Sequence, residues 1–184
     1  MKRESLLEIL AQTSSERGIL GVLIGGMALP AYGTARSTLD VDFCIRVKTQ
    51  DELDAFVSEL ARKGVRTVQR PMVEHDLFFV FGSHGVGEVW LTPCDTFRWD
   101  DQMATRTRVF YGNVRVLAPE DYVVSKLGRS DRSSVDVDDA IQVLVANAGS
   151  LDWKYLRFRS RWAGLERDLD EVLVVLKEAG VLKN

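Results

Sequence analysis

Gly25-Gly26-Met27-Ala28, then Arg36-Ser37-Thr38-Leu39-Asp40-Val41-Asp42-Phe43-Cys44-Ile45-Arg46, is the stretch that decides how this chain folds. Its second half alternates strictly, and successive side chains of a strand point to opposite faces. A strand over Leu39 to Arg46 therefore puts Leu39, Val41, Phe43 and Ile45 on one face and Asp40, Asp42, Cys44 and Arg46 on the other. Ahead of it, the apolar run Ile19 to Ile24 reads as a buried strand ending in the tight turn Gly25-Gly26. Met27 to Tyr32 then reads as a short helix closed by Gly33.

Outward from this centre, Arg3 to Arg17 carries an amphipathic helical stripe of Leu6, Leu7, Ile9 and Leu10. Asp51 to Lys63 reads as a helix stopped at Gly64. Val65 to Val68, Asp76 to Phe81 and Glu88 to Thr92 are strand-like. Arg108 to Tyr111 and Val114 to Leu117 flank Gly112-Asn113, a two-residue hairpin turn. From Pro119 onward the periodicity is helical. Strands first and helices after predict an α+β core with a helical C-terminal part, divided as 1–118 and 119–184 but forming one compact unit.

Composition narrows the function. The chain has 184 residues, 46% hydrophobic and 28% charged, enough for a sizeable buried core. A net charge of −3 argues against bulk adhesion to nucleic acid or membrane, while leaving room for a local basic patch. The start lacks the apolar segment of a signal peptide, and no apolar run is long enough to span a bilayer, so a cytoplasmic location is expected. Cys44 and Cys94 have neither metal-ligand nor disulfide spacing, and His75 and His84 are too isolated for a zinc site.

The chemistry concentrates in the opening stretch. Asp40 and Asp42, two apart on one strand, lie about 7 Å apart at Cα, close enough to share one divalent ion. Their repulsion is unfavourable without a cation, and magnesium suits carboxylates that also meet substrate phosphates. Alone, such a pair more often decorates the solvent face of an edge strand. The upstream residues shift the balance. Gly25-Gly26 lets backbone N–H groups approach a phosphate, the helix opening at Met27 adds a favourable dipole, and Arg36 and Thr38 offer a guanidinium and a hydroxyl.

These residues resemble the Gly-Gly … Asp-x-Asp motif of the DNA polymerase β-like nucleotidyltransferase superfamily, above all its small prokaryotic AbiEii-toxin-like members. The match extends downstream through Val116-Leu117-Ala118-Pro119-Glu120-Asp121, Lys126-Leu127 and Asp136-Val137-Asp138-Asp139, covering roughly 21–144. The resemblance implies a mixed β-sheet with flanking helices, and transfer of a nucleoside monophosphate from an NTP to a hydroxyl acceptor with Mg²⁺ or Mn²⁺. Asp40, Asp42, Lys126 and Asp139 would be the catalytic residues, and Gly25, Gly26, Arg36, Thr38 and Lys126 would bind nucleotide. The implied acceptor is tRNA or another RNA, or a protein, with a cognate antitoxin as possible partner; small members of the superfamily also adenylylate aminoglycosides. The residues themselves allow a plainer role for one position: Ser133 and Asp136 fit a capping box.

One position departs from the pattern. Many members carry a third carboxylate on a later strand, where this chain has Trp90 in Glu88-Val89-Trp90-Leu91-Thr92. Glu88, one strand repeat earlier on the same face, is the candidate third metal ligand, and Asp95 lies just beyond. Without a third acid, the alternative is a non-catalytic relative that binds a nucleotide or a protein partner. Near the C-terminus, Trp153 to Trp162 interleaves basic and aromatic residues; packed aromatics with solvated arginines are expected there rather than an RNA-binding face. Leu165 to Leu176 reads as a packing helix.

Overall fold

In a computed structural model, which describes residues 4–182, helix α1 (Leu6–Glu16) starts from a reciprocal cap. The Ser5 N–H and hydroxyl donate to the Glu8 carboxylate at 2.8 and 2.9 Å, and the Glu8 N–H donates back to the Ser5 hydroxyl at 3.3 Å. The expected stripe Leu6, Leu7, Ile9 and Leu10 is buried; Arg3 lies outside the described residues. Strand β1 (Leu20–Leu23) leads into a 3-10 helix, Gly26–Tyr32, closed by Gly33 at φ 81°. Strand β2 (Val41–Arg46) follows, then α2 (Gln50–Arg62), β3 (Val65–Thr67), β4 (Leu77–Gly82) and β5 (Gly85–Trp90). Next come α3 (Asp101–Arg106), β6 (Arg108–Tyr111) and β7 (Val114–Val116). Helices α4 (Pro119–Leu127), α5 (Ser134–Asn147), α6 (Trp153–Trp162) and α7 (Glu166–Glu178) complete the chain.

The strands form one sheet in the order β3-β4-β5-β2-β1-β7-β6. The pairs β2–β5 and β1–β7 are parallel and the rest antiparallel, so the sheet is mixed, as expected, with helices flanking it. Helix α1 packs on the face that carries Phe43, Val89 and Gly87; a Cβ on Gly87 would sit 3.1 Å from Leu6 Cδ2. The opposite face carries Asp42 and Glu88. Helix α4, buried along its length, joins the sheet to the C-terminal helices. Tyr32 and Tyr122 rings meet at 4.7 Å, and Asn147 Nδ2 donates to the Tyr32 carbonyl at 2.9 Å, so α4 and α5 hold the 3-10 helix from behind.

Three sequence expectations need correction. Strand β2 begins at Val41, so Leu39 is no core residue but 93% exposed; pairing starts only where Val41 meets Gly87. Strand β5 runs Gly85–Trp90 rather than 88–92, because the tight turn at Gly82–Gly85, with Gly85 at φ 121°, fixes the register from its own end. Helix α3 was not foreseen; it is one and a half turns capped by Asp100, whose carboxylate takes the Met103 N–H at 2.7 Å. Among the described residues no helix is long and apolar enough to cross a membrane, and Cys44 and Cys94 are buried and unpaired.

Helix α6 departs from both readings of its basic–aromatic run. Arg157 and Arg161 do face outward, paired with Asp170 and Glu166. Arg159, by contrast, is 0% exposed. It donates to Asp121 on α4 at 3.1 Å and to Asp100 at the start of α3, and it stacks 4.1 Å from the Trp162 ring centroid. Tyr155 O–H donates to the same Asp121 at 3.0 Å.

Candidate functional site

The site is assembled where β1 ends. Ile24 N–H donates to the Asp42 carbonyl at 2.9 Å, the last antiparallel bond before the chain turns. Gly25 then takes φ 64°, ψ −162°, and a Cβ there would lie 2.0 Å from Asp42 Oδ2. At Gly26 a Cβ would meet Arg36 Nη2 at 2.5 Å. The two glycines are thus needed so that a carboxylate and a guanidinium can lie against bare backbone. The helix that follows is seven residues of 3-10 geometry containing Pro30, so its dipole is a weaker contribution than an α-helix opening at Met27 would make.

Asp42 stands directly opposite Glu88 on the neighbouring parallel strand, about 4.8 Å away at Cα. The Asp42 carboxyl is pushed up to about 6, first by burial and then by Glu88, with Asp40 adding to the rise and Lys126 and Arg129 opposing it. Asp40 lies exposed just before the strand, its N–H donating to the Thr38 hydroxyl at 3.3 Å. Trp90 pairs with Cys44, one repeat beyond the Asp42–Glu88 pair. Its indole N–H donates to Glu88 Oε2 at 3.1 Å, and Arg129 lies over its ring at 5.6 Å. Asp95 is engaged elsewhere, accepting from Ser130 N–H at 3.2 Å and from the Ser130 hydroxyl.

The donor set is all carboxylate oxygen, which fits Mg²⁺ or Mn²⁺ and not a thiolate- or imidazole-seeking metal. An Asp42 pushed up by burial first and by Glu88 next is a site where a cation would relieve the cost of the ionised carboxylate. Among the described residues no three His, Cys, Asp or Glu side chains already converge on one point; Asp42 and Glu88 are adjacent by register and Asp40 precedes the strand.

The cationic wall comes from α4. Lys126 is buried, its Nζ 3.0 Å from Asp136 Oδ1 and 2.9 Å from Asp139 Oδ2. Asp139, 0% exposed, also receives Arg36 Nε at 2.9 Å, so one carboxylate fixes two cations. Asp136 accepts from the Ser133 N–H and hydroxyl, both at 3.0 Å, as the capping spacing implied, and grips Lys126 as well. Gly25, Asp42, Trp90, Ser125, Lys126 and Arg129 line one cleft together with Ile24, Pro93, Cys94 and Asp95. Of the sequence candidates, Gly25, Asp42 and Lys126 meet there, with Glu88 next to Asp42; Gly26, Arg36, Thr38 and Asp139 stand behind or beside it. Arg129, three residues after Lys126 and just beyond the end of α4, is a site residue that the sequence reading does not single out.

No protein-family model matches the sequence, and no curated protein matches it. Solved structures do. The antibiotic-resistance factor ANT(2'')-Ia in solution superposes with a TM-score of 0.55 at 18% identity, over 90% of this chain and 96% of that one. The crystal structure of ANT(2'')-Ia with adenylyl-2''-tobramycin gives 0.56 at 16% identity, over 85% and 97%. This chain has the nucleotidyltransferase fold. The Megavirus polyadenylate synthase matches with a TM-score of 0.50 at 13% identity over 75% of this chain, which spans 30% of that larger protein.

Gly25→Ala gives a direct check on the geometry. The clash with Asp42 Oδ2 and the left-handed φ should cost about 1–3 kcal/mol in stability. If Asp42 acts as proposed below, its displacement should lower transfer about 100-fold. Thermal melts and a labelled-nucleotide assay read both; an Ala variant with wild-type values for each would refute the packing role.

Proposed function

We propose that this chain transfers a nucleoside monophosphate from an NTP to a hydroxyl acceptor. The observation that supports this most is Asp42, in register with Glu88, sharing one cleft with Lys126 and Arg129. Acids and cations side by side suit a triphosphate carried with a divalent ion. Asp40, Asp42 and Glu88 would hold Mg²⁺ (or Mn²⁺), which when bound supplies charge neutralisation at the phosphates and alignment of the reacting oxygens.

The acceptor oxygen bonds to the α-phosphorus while the bond from that phosphorus to the bridging oxygen breaks. Pyrophosphate leaves with the electron pair, and the acceptor proton passes to water or a carboxylate. The chain's own part is positioning. Two of the three Lys126 N–H donors are taken by Asp136 and Asp139, which leaves one for a phosphate oxygen. Arg129, supported on Trp90, adds a guanidinium at the same cleft. Gly25 and Gly26 offer backbone N–H groups, and Arg36 and Thr38 extend that edge. Asp139 acts through Lys126 and Arg36 as a positioning residue.

The acceptor class proposed is RNA, tRNA foremost, or a protein, in a cytoplasmic, AbiEii-toxin-like role that a cognate antitoxin would restrain. The two parts, 1–118 and 119–184, would work as one unit. A second reading, a nucleotide-binding protein without turnover, is supported by Trp90, whose indole N–H engages Glu88 Oε2 at 3.1 Å.

Each α-³²P NTP, with Mg²⁺, should be offered together with total tRNA, total protein and, in a third arm, tobramycin. Label with wild type and not with Asp42→Asn establishes transfer and names the acceptor. Retained Mg²⁺–NTP binding without label supports the second reading. Neither label nor binding would remove both.

A further inference from the structure

Glu88 and Trp90 are two residues apart on β5, so both side chains leave the sheet on the same face, about 7 Å apart at Cα. The indole spans that gap, its N–H reaching Glu88 Oε2 at 3.1 Å. Trp90 is half-buried and lines the cleft, and the Arg129 guanidinium lies over its ring at 5.6 Å, within cation–π range. One side chain therefore touches an acid on the sheet and a cation just past α4.

The cations of the site have clamps of their own. Lys126 is held by Asp136 and Asp139, and Arg36 by Asp139. Arg129 has Asp131 as well as the ring, through Nε at 3.0 Å and Nη2 at 3.1 Å. For Glu88, among the described residues, the Trp90 N–H is the one hydrogen-bond donor. Apolar packing does not account for an indole here. Phenylalanine would fill much of the same space, so what tryptophan adds is an N–H directed at a candidate metal ligand.

We propose that Trp90 is a positioning residue for the divalent ion. Its N–H fixes Glu88 by Oε2 and leaves Oε1 for the ion, while its ring keeps Arg129 over the same cleft. This rests on the nucleotidyltransferase reading and adds a residue to its site. Carboxylates that bind metals are oriented by hydrogen bonds from the residues around them, and losing such a partner costs about 10–100-fold in metal affinity.

The test reads the metal apart from turnover. Mn²⁺ alone is titrated into the full, metal-free chain, and the free ion is counted by electron paramagnetic resonance. Trp90→Phe keeps a ring under Arg129 and removes the N–H, so Mn²⁺ binding should weaken about tenfold. Trp90→Leu also removes the ring and should in addition raise the KM for NTP about threefold. Glu88→Gln should weaken Mn²⁺ binding by itself, and adding Trp90→Phe to it should cost nothing more, because Trp90 acts through Glu88. A side chain that only packs would shift the melting temperature of the metal-free protein and leave Mn²⁺ affinity alone. Three results overturn the role: a Phe variant that binds Mn²⁺ as wild type does, one that binds it more tightly, as when the N–H competes with the ion, or losses that add in full in the double variant. No Mn²⁺ binding by wild type removes both the role and the metal ligands. If Trp90→Phe weakens Mn²⁺ binding but wild type labels no acceptor, the transfer reading fails and the positioning role stands. If wild type transfers label and Trp90→Phe does so with the same Mn²⁺ dependence, the positioning role fails and the transfer reading stands.

Discussion

Asp42→Asn should abolish nucleotide transfer, by about 1,000-fold or more, and at the same time raise the melting temperature of the metal-free protein. The first effect follows from removing the charge that would bind the metal between Asp42 and Glu88, which no neighbour replaces. The second follows from the same arrangement. At neutral pH the ionised Asp42 is half-buried, opposite Glu88 and near Asp40, and its carboxyl is pushed up to about 6 chiefly by burial. Asparagine keeps the shape and removes the repulsion, which should stabilise the fold by about 1–2 kcal/mol after allowance for the screening from Lys126 and Arg129. Millimolar Mg²⁺ should raise the melting temperature of wild type and leave the variant unchanged. Melting curves with and without Mg²⁺ separate this from a structural role: an aspartate that merely held the strand end would destabilise on replacement, with or without the ion.

How far the sequence reached can be judged residue by residue. The alternation around Asp42 and the Gly25-Gly26 turn were legible because each follows from local rules, side-chain period and backbone freedom. The same local rule misled at Leu39, since alternation says which face a residue would take but not whether a partner strand is there to pair with it. Which residue of β5 stands opposite Asp42 was beyond local rules for a related reason. It depends on the register of β5 against β2, which the turn at Gly82–Gly85 sets from a distance. Once the register is known, Glu88 and not Trp90 faces Asp42. Asp136 and Asp139 were readable as one helix face, but that Asp139 would clamp both Arg36 and Lys126 required elements about a hundred residues apart to meet.

Arg159 was the least legible of all, and its replacement should have the largest effect on stability. In the sequence it is one arginine among several on an aromatic helix; in the fold it is 0% exposed between Asp121, itself 0% exposed, and Asp100. Arg159→Met keeps much of the volume but leaves Asp121 as a buried anion with only the Tyr155 hydroxyl for company, which should cost about 3–5 kcal/mol. The pH dependence carries the sign of the cause. Burial pushes the Asp121 carboxyl up to about 6 although Arg159 opposes the rise, so losing Arg159 raises it further. A raised carboxyl opposes folding while ionised and stops doing so once it is protonated. The deficit of Arg159→Met relative to wild type should therefore be largest at high pH, shrink as the pH falls toward 6, and level off below 6, where Asp121 is protonated in both. Adding Asp121→Asn to Arg159→Met should recover part of the loss at pH 7.5, because the orphaned charge is gone. Denaturant unfolding of the two single variants and the double at pH 5 and 7.5 reads the cycle. A deficit that is the same at both pH values, and that Asp121→Asn does not relieve, would mean that Arg159 matters for packing against Trp162 and not for its charge.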